Sequence, residues 1–336
     1  MGNENKTPVE LYNERSQRIR EAVQLKVPDR IPVSIEDEGV FVKYGGGTWA
    51  EVMYDFQKAA EGSKKLWLDL DQDTHGIPFI MCPGQVYDIL DFKQMKWPGA
   101  EKEENRLDDP DWVYQFVEPD AGFEAMHPDE YEWFVNDPTD FMVRGYWPKV
   151  SKTLAPLKNL PAMWHINSYT RLPFLAAFGT PEISKALEAL MAAGRELIKY
   201  NQALTQFIVD MVKLGYPPRN IAGCSAPFDY FGDYMRGTMG RMIDMYRHPE
   251  QLKEAINKAT PMILEQVLTL AKAKLAILDE AMPDGNHPKH VAMYLHGGAG
   301  GFMSNKQFEE FYWPSLRQAL IGIIDAGFTP YMFSEG

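Results

Sequence analysis

Apolar positions recur along this chain in two rhythms, helical blocks and short alternating runs, and the two take turns. Between residues 9 and 25, Leu11, Ile19, Ala22 and Val23 stand among charges and predict an amphipathic helix, closed by Pro28-Asp29-Arg30. Ile31 to Ile35 alternates and predicts a first strand, which runs into the acidic loop Glu36-Asp37-Glu38-Gly39. Thr48, after three glycines, is an N-cap signal for a helix from Trp49 to Lys65. Leu66 to Leu70 reads as a second strand, with Asp71, Asp73 and His75 at its end. Ala162–Asn167 and Asn220–Ser225 predict further strands. Gly179-Thr180-Pro181 opens a long helix to Leu214. A broken helix over Phe228–Tyr246 is punctuated by Gly232, Gly237 and Gly240. A long helix over Pro249–Met282 is expected to kink at Pro261. The chain closes with a strand at Val291–Leu295, a helix from Ser304 and a strand at Thr329–Phe333. Strand alternating with helix argues an α/β fold with a mainly parallel sheet. Residues 76–160, crowded with aromatics, prolines and acids, break the pattern. They predict an excursion of short helices with one strand near Trp112–Val117.

The composition changes this picture little. The chain has 336 residues, 45% hydrophobic and 24% charged, enough to bury a large core. Its net charge of −13 excludes a general nucleic-acid binder, which needs a basic face. No apolar run is long enough to span a membrane, and the polar amino terminus carries no signal core. Two cysteines, Cys82 and Cys224, stand far apart without metal spacing and read as reduced thiols, so a cytoplasmic location is expected.

The candidate chemistry gathers near the end. His296 closes a strand and is followed by Gly297-Gly298-Ala299-Gly300-Gly301, where the backbone can turn sharply and approach a ligand. Ser304 and Gln307 form a capping box, so a helix amino end faces that loop. The glycines do not match a dinucleotide or phosphate-loop pattern, and tight packing alone is a competing explanation for them. Asp229 and Asp233, four apart, share a helix face. An ion pair between Asp233 and Arg236 is the plainer expectation, which leaves Asp229 as the site residue. Asp71, Asp73 and His75 alternate at metal-compatible spacing, although acids in a surface turn are commoner. His165 ends another predicted strand and is as readily structural. Phe308, Phe311, Tyr312 and Trp313 fit core packing better than a ligand platform.

PDRIPVSI, APFDYFGDYMRG with MIDMYRHPE, and HGGAGGFMSNKQFEEFYWPSLRQALIGIIDAGFTPYMFSEG together resemble the uroporphyrinogen decarboxylase-like superfamily. That superfamily holds the decarboxylase of haem biosynthesis and the methylcobamide methyltransferases. The resemblance runs loosely from residue 9 to the end and is weakest over 76–160. It implies a (β/α)8 TIM-like barrel with helical insertions, its site at the carboxyl ends of the strands. The decarboxylase carries an arginine run after its first strand. Here that loop is Glu36-Asp37-Glu38-Gly39-Val40, whose acids would repel a polycarboxylate. The methyltransferases hold zinc through a His-x-Cys pattern that falls on Phe333-Ser334-Glu335, leaving Glu335 as the one zinc-capable residue of the pair.

The expectation is therefore a single domain over residues 1–336, a barrel lacking its last βα units because no helix follows the last strand. Its implied reaction is methyl transfer from a methylated corrinoid protein, the expected partner, to a small acceptor. Glu335, His296 and Asp229 are the expected catalytic residues, with Glu335 and His296 as the metal ligands if zinc is bound. Glu36, Asp73, His75, Gly297, Gly298, Gly300 and Gly301 are expected to line the acceptor site. Decarboxylation of a tetrapyrrole and a non-catalytic corrinoid-protein docking role are the alternatives.

Overall fold

The computed structural model describes residues 6–35, 39–78, 83–109, 113–119, 123–298 and 301–334. It is a mixed α/β structure, mostly helical, with two three-stranded sheets. Three strands, β1 (Met95–Pro98), β2 (Arg106–Leu107) and β3 (Gln115–Phe116), make the smaller sheet inside the excursion. There β1 pairs parallel with β2 and antiparallel with β3. The larger sheet has β4 (Ala222–Ser225), β5 (His290–Leu295) and β6 (Thr329–Ser334) side by side in chain order, all parallel. Among the described residues no closed barrel is formed.

The larger sheet buries one face through its helices. Pro249–Ala281 returns the chain from β4 to β5, and Trp313–Asp325 from β5 to β6. These helices pack on each other, with Ile256, Ile263, Val267, Leu316 and Ile323 forming one core with Val291 and Met293 of β5. Side chains alternate across a strand, so Ala292 and Tyr294 face the other way. Both connections therefore lie on the same side of the sheet.

The long helices fall where the sequence puts them, over Pro181–Lys213 and Pro249–Ala281, the latter continuous through Pro261. The Ser304–Gln307 capping box is formed. Three expected strands are not. Leu66–Leu70 is the last turn of a helix, Phe56–Leu70, whose start is fixed by Asp55 accepting from the Gln57 and Lys58 amides. Ala162–Asn167 lies in an exposed run of tight helical turns, Met163–Ile166. Ile31–Ile35 is extended but has side chains as partners. The Val33 amide donates to Asp73 Oδ2 at 2.7 Å and the Ile35 amide to Gln72 Oε1 at 2.6 Å, while the Asp73 amide returns one bond to the Val33 carbonyl. Of the strand expected near Trp112–Val117, Gln115–Phe116 is formed, and Trp112 lies outside the described residues.

Candidate functional site

The site is assembled where β4 and β5 end. After Ser225 the chain enters a short helix at Pro227, then a π-helical segment, Phe231–Arg236, a local widening of the helix that often accompanies function. Asp229, in the first turn, is fully buried and accepts four hydrogen bonds. The amides of His296 and Gly297 donate at 2.9 Å each, the Tyr312 hydroxyl at 2.6 Å and Arg241 Nη1 at 2.8 Å. Arg241 is itself buried, its guanidinium 4.6 Å from the Phe228 ring centre. Burial, reinforced by the adjacent Asp229 charge, drives the Tyr312 hydroxyl far above its ordinary pKa, so it stays a donor. Asp229 thus ties the end of β5 to the segment after β4, and its lone pairs are spent on the protein.

One turn on, Asp233 reaches the same loop from the same face. Its Oδ2 lies 2.9 Å from Nδ1 of His296. Asp233 is nearly buried, while the His296 side chain is one-third exposed. A carboxylate at Nδ1 fixes the ring as the Nδ1–H tautomer, which carries its lone pair on Nε2. The pair can take up a proton at Nε2 and stabilise the resulting cation. The expected Asp233–Arg236 pair is not formed. Gly237, at φ +72°, turns the chain, and Arg236 reaches Asp244 at 2.7 Å and the Met126 carbonyl instead.

The glycines of the loop make room for the protein's own side chains. A Cβ at Gly297 would lie 2.6 Å from Arg241 Nη2 and 2.9 Å from Asp229 Oδ1, and one at Gly298 would lie 2.9 Å from the Tyr312 ring. Among the described glycines of the loop, only Gly301, at φ +109° with no neighbour within 4 Å, is needed for its backbone angle alone. Gly297→Ala is therefore expected to destabilise the chain by about 1–3 kcal/mol through overpacking, read as a lower midpoint in urea. An unchanged midpoint would show that the Arg241–Asp229 pair yields freely.

Asp73 and His75 are placed away from this loop, in the interior upstream of β4. Asp73 is fully buried and binds Arg18 at 2.5 Å and Arg30 at 2.7 and 2.8 Å, docking the helix Pro8–Val23 and the extended segment after it. His75 donates Nδ1–H to the Gly76 carbonyl, bridges to Pro218, and packs on Trp67 and Phe207. Asp71 caps the helix Phe56–Leu70 and pairs with Arg15. None of the three forms a metal group, because each carboxylate is already neutralised by arginine. Glu36, Gly300 and Glu335 lie outside the described residues. Among those described, no group of three His, Cys, Asp or Glu side chains is placed to hold a metal ion. His165 sits on an exposed turn. Cys224 is a free thiol raised by burial to about 12, and Cys82 lies outside the described residues.

Burial lowers the His75 pKa to about 4, against its ordinary 6.5. The unfolded chain therefore binds this proton first as pH falls. Stability from this group is fully present above about pH 6.5 and is lost between there and about pH 4, by about 3 kcal/mol. Denaturation midpoints measured across that window should fall, and the slope should flatten in His75→Gln. An equal slope in the variant would assign the loss to other groups.

Sequence reasoning missed Arg241 as a partner and took Tyr312 only for core. Tyr312 shares its helical stripe with Phe308 and Phe311, and nothing in that spacing separates a core tyrosine from one whose hydroxyl caps a carboxylate 83 residues away. Compared with protein-family models, curated proteins and solved structures, the chain matches none. No helix among the described residues is long and apolar enough to cross a membrane.

Proposed function

We propose that this chain is a methyltransferase of the uroporphyrinogen decarboxylase-like superfamily, moving a methyl group from a methylated corrinoid protein to a small acceptor. The observation that carries the reading is the His296–Asp233 pair at the carboxyl edge of a parallel sheet. Three parallel strands in chain order, with both connections on one face, suit a segment of a (β/α)8 barrel. A doubly wound sheet instead reverses its order and covers both faces. In this reading the acceptor's heteroatom would take the methyl carbon as the carbon–cobalt bond breaks and its electron pair leaves with the corrinoid, while the heteroatom's own proton passes to Nε2 of His296 and Asp233 stabilises the imidazolium. Asp229 holds the loop and takes no proton. The described residues do not fit a zinc centre, so no step is assigned to one. Asp229 is saturated by four donors, and no group of three His, Cys, Asp or Glu side chains among the described residues is placed to hold the ion.

Decarboxylation of a tetrapyrrole is less well supported. It calls for cations that bind carboxylates, and Arg241, which stands against Gly297 of the loop, is already neutralised by Asp229. Incubating the protein with methylcobalamin and a panel of thiols, pterins and phenols, followed by the cobalamin absorbance change, tests the proposal. Demethylation that requires an acceptor is the expected result. Spectra unchanged with every acceptor would end the methyl-transfer reading, and coproporphyrinogen formed from uroporphyrinogen would replace it.

A further inference from the structure

The face of the larger sheet turned away from its helices is aromatic at its carboxyl end. Tyr294 of β5 lies in register with Ser225 of β4 and Phe333 of β6, and its ring centre is 6.2 Å from that of Phe333, edge to face. Gly223 gives the Tyr294 ring its place: a Cβ there would stand 3.2 Å from the ring, so the tyrosine leans across β4. Ser225 lies beside the Tyr234 side chain. Tyr234 in turn meets Tyr230 at 5.3 Å and Phe116 of the small sheet at 6.2 Å. Tyr234 follows Asp233 in sequence, and Tyr294 precedes by two residues His296, which stands just past the end of β5. The rings are half-buried, and those of Tyr294 and Phe333 lie outside the helix-covered core. An aliphatic ligand would be served equally by leucines. Rings locked edge to face present a quadrupole that prefers another ring.

We infer that the acceptor site takes a small molecule with a planar aromatic ring, held on Tyr294 and Phe333 with its heteroatom turned toward His296. This rests on the proposed reading of the site as an acceptor site, but its test reads binding and not turnover. Phenol and cyclohexanol, alike in size and hydroxyl, are titrated into the intact protein and followed calorimetrically. Phenol is expected to bind about ten-fold more tightly. Tyr294→Leu and Phe333→Leu should each remove about five-fold of that preference, and two variants guard against one failing to fold. Equal affinities, no phenol binding, or a preference unmoved by both substitutions would overturn the inference. Loss of methyl transfer with the phenol preference intact would overturn only the proposed reaction. Transfer to a non-aromatic acceptor while phenol is ignored would overturn only the aromatic site.

Discussion

Asp229→Ala is expected to destabilise the chain by about 3–5 kcal/mol, the loss that follows when one partner of a buried ion pair is removed. The substitution strands the buried Arg241 guanidinium, whose remaining contacts are the Phe228 ring and a long 3.4 Å bond to the Phe228 carbonyl. It also orphans the Tyr312 hydroxyl and the amides of His296 and Gly297. Asp229→Asn keeps the shape and one acceptor oxygen, and should lose less. Because the two ions depend on each other, the double variant Asp229→Ala with Arg241→Ala should cost less than the sum of the singles. Urea denaturation of the four proteins measures this. Additive losses would show that Asp229 holds the loop through its amide bonds alone and not through the ion pair.

That dependence explains why the site was only partly legible in the sequence. His296 was visible because strand end, glycine run and capping box adjoin it in the chain. Asp229 was visible because it follows Pro227 at a strand end. What joins them is long-range: Arg241 approaches Asp229 across a π-helical segment, and Tyr312 from a helix after β5. The π-helical segment also explains the misassigned ion pair. Four-residue spacing correctly placed Asp229 and Asp233 on one face, but three-residue spacing to Arg236 failed once the backbone widened into a π-helix and then turned at Gly237.

The strands divide the same way. β4, β5 and β6 were read correctly because each is bounded by loop residues and backed by a long helix, so pattern and packing agree. LWLDL was misread because five residues cannot distinguish a half-buried strand from a final helical turn. The deciding residue was Asp55, eleven positions earlier, whose carboxylate starts the helix that runs through Leu70. PVSI is extended as expected. Its partners, Gln72 and Asp73, answer with side chains, and the Asp73 carboxylate is itself held by Arg18 and Arg30. Acids that looked like ligands at the end of a strand are instead the anchor for the first helix.

If His296 moves the proton in the reaction, His296→Gln should lower the methyl-transfer rate by roughly 100- to 10,000-fold, the usual range for losing a positioned acid or base. Stability should change little, because Asp229 binds the backbone amide of residue 296 and not its ring. Asp233→Asn is the more discriminating variant. It keeps a polar group near Nδ1 but removes the charge that stabilises the imidazolium, so the rate should fall less than for His296→Gln. Its pH profile should move with it: a histidine that loses its carboxylate holds its proton less firmly, and the limb governed by this group should shift to lower pH. Combining the two substitutions should add little to His296→Gln alone, since Asp233 acts through the ring it holds. Single-turnover rates across pH for the three variants and the parent decide the matter. A profile unmoved by Asp233→Asn, or a double variant far slower than His296→Gln, would make Asp233 an independent group and separate the pair that the 2.9 Å contact joins.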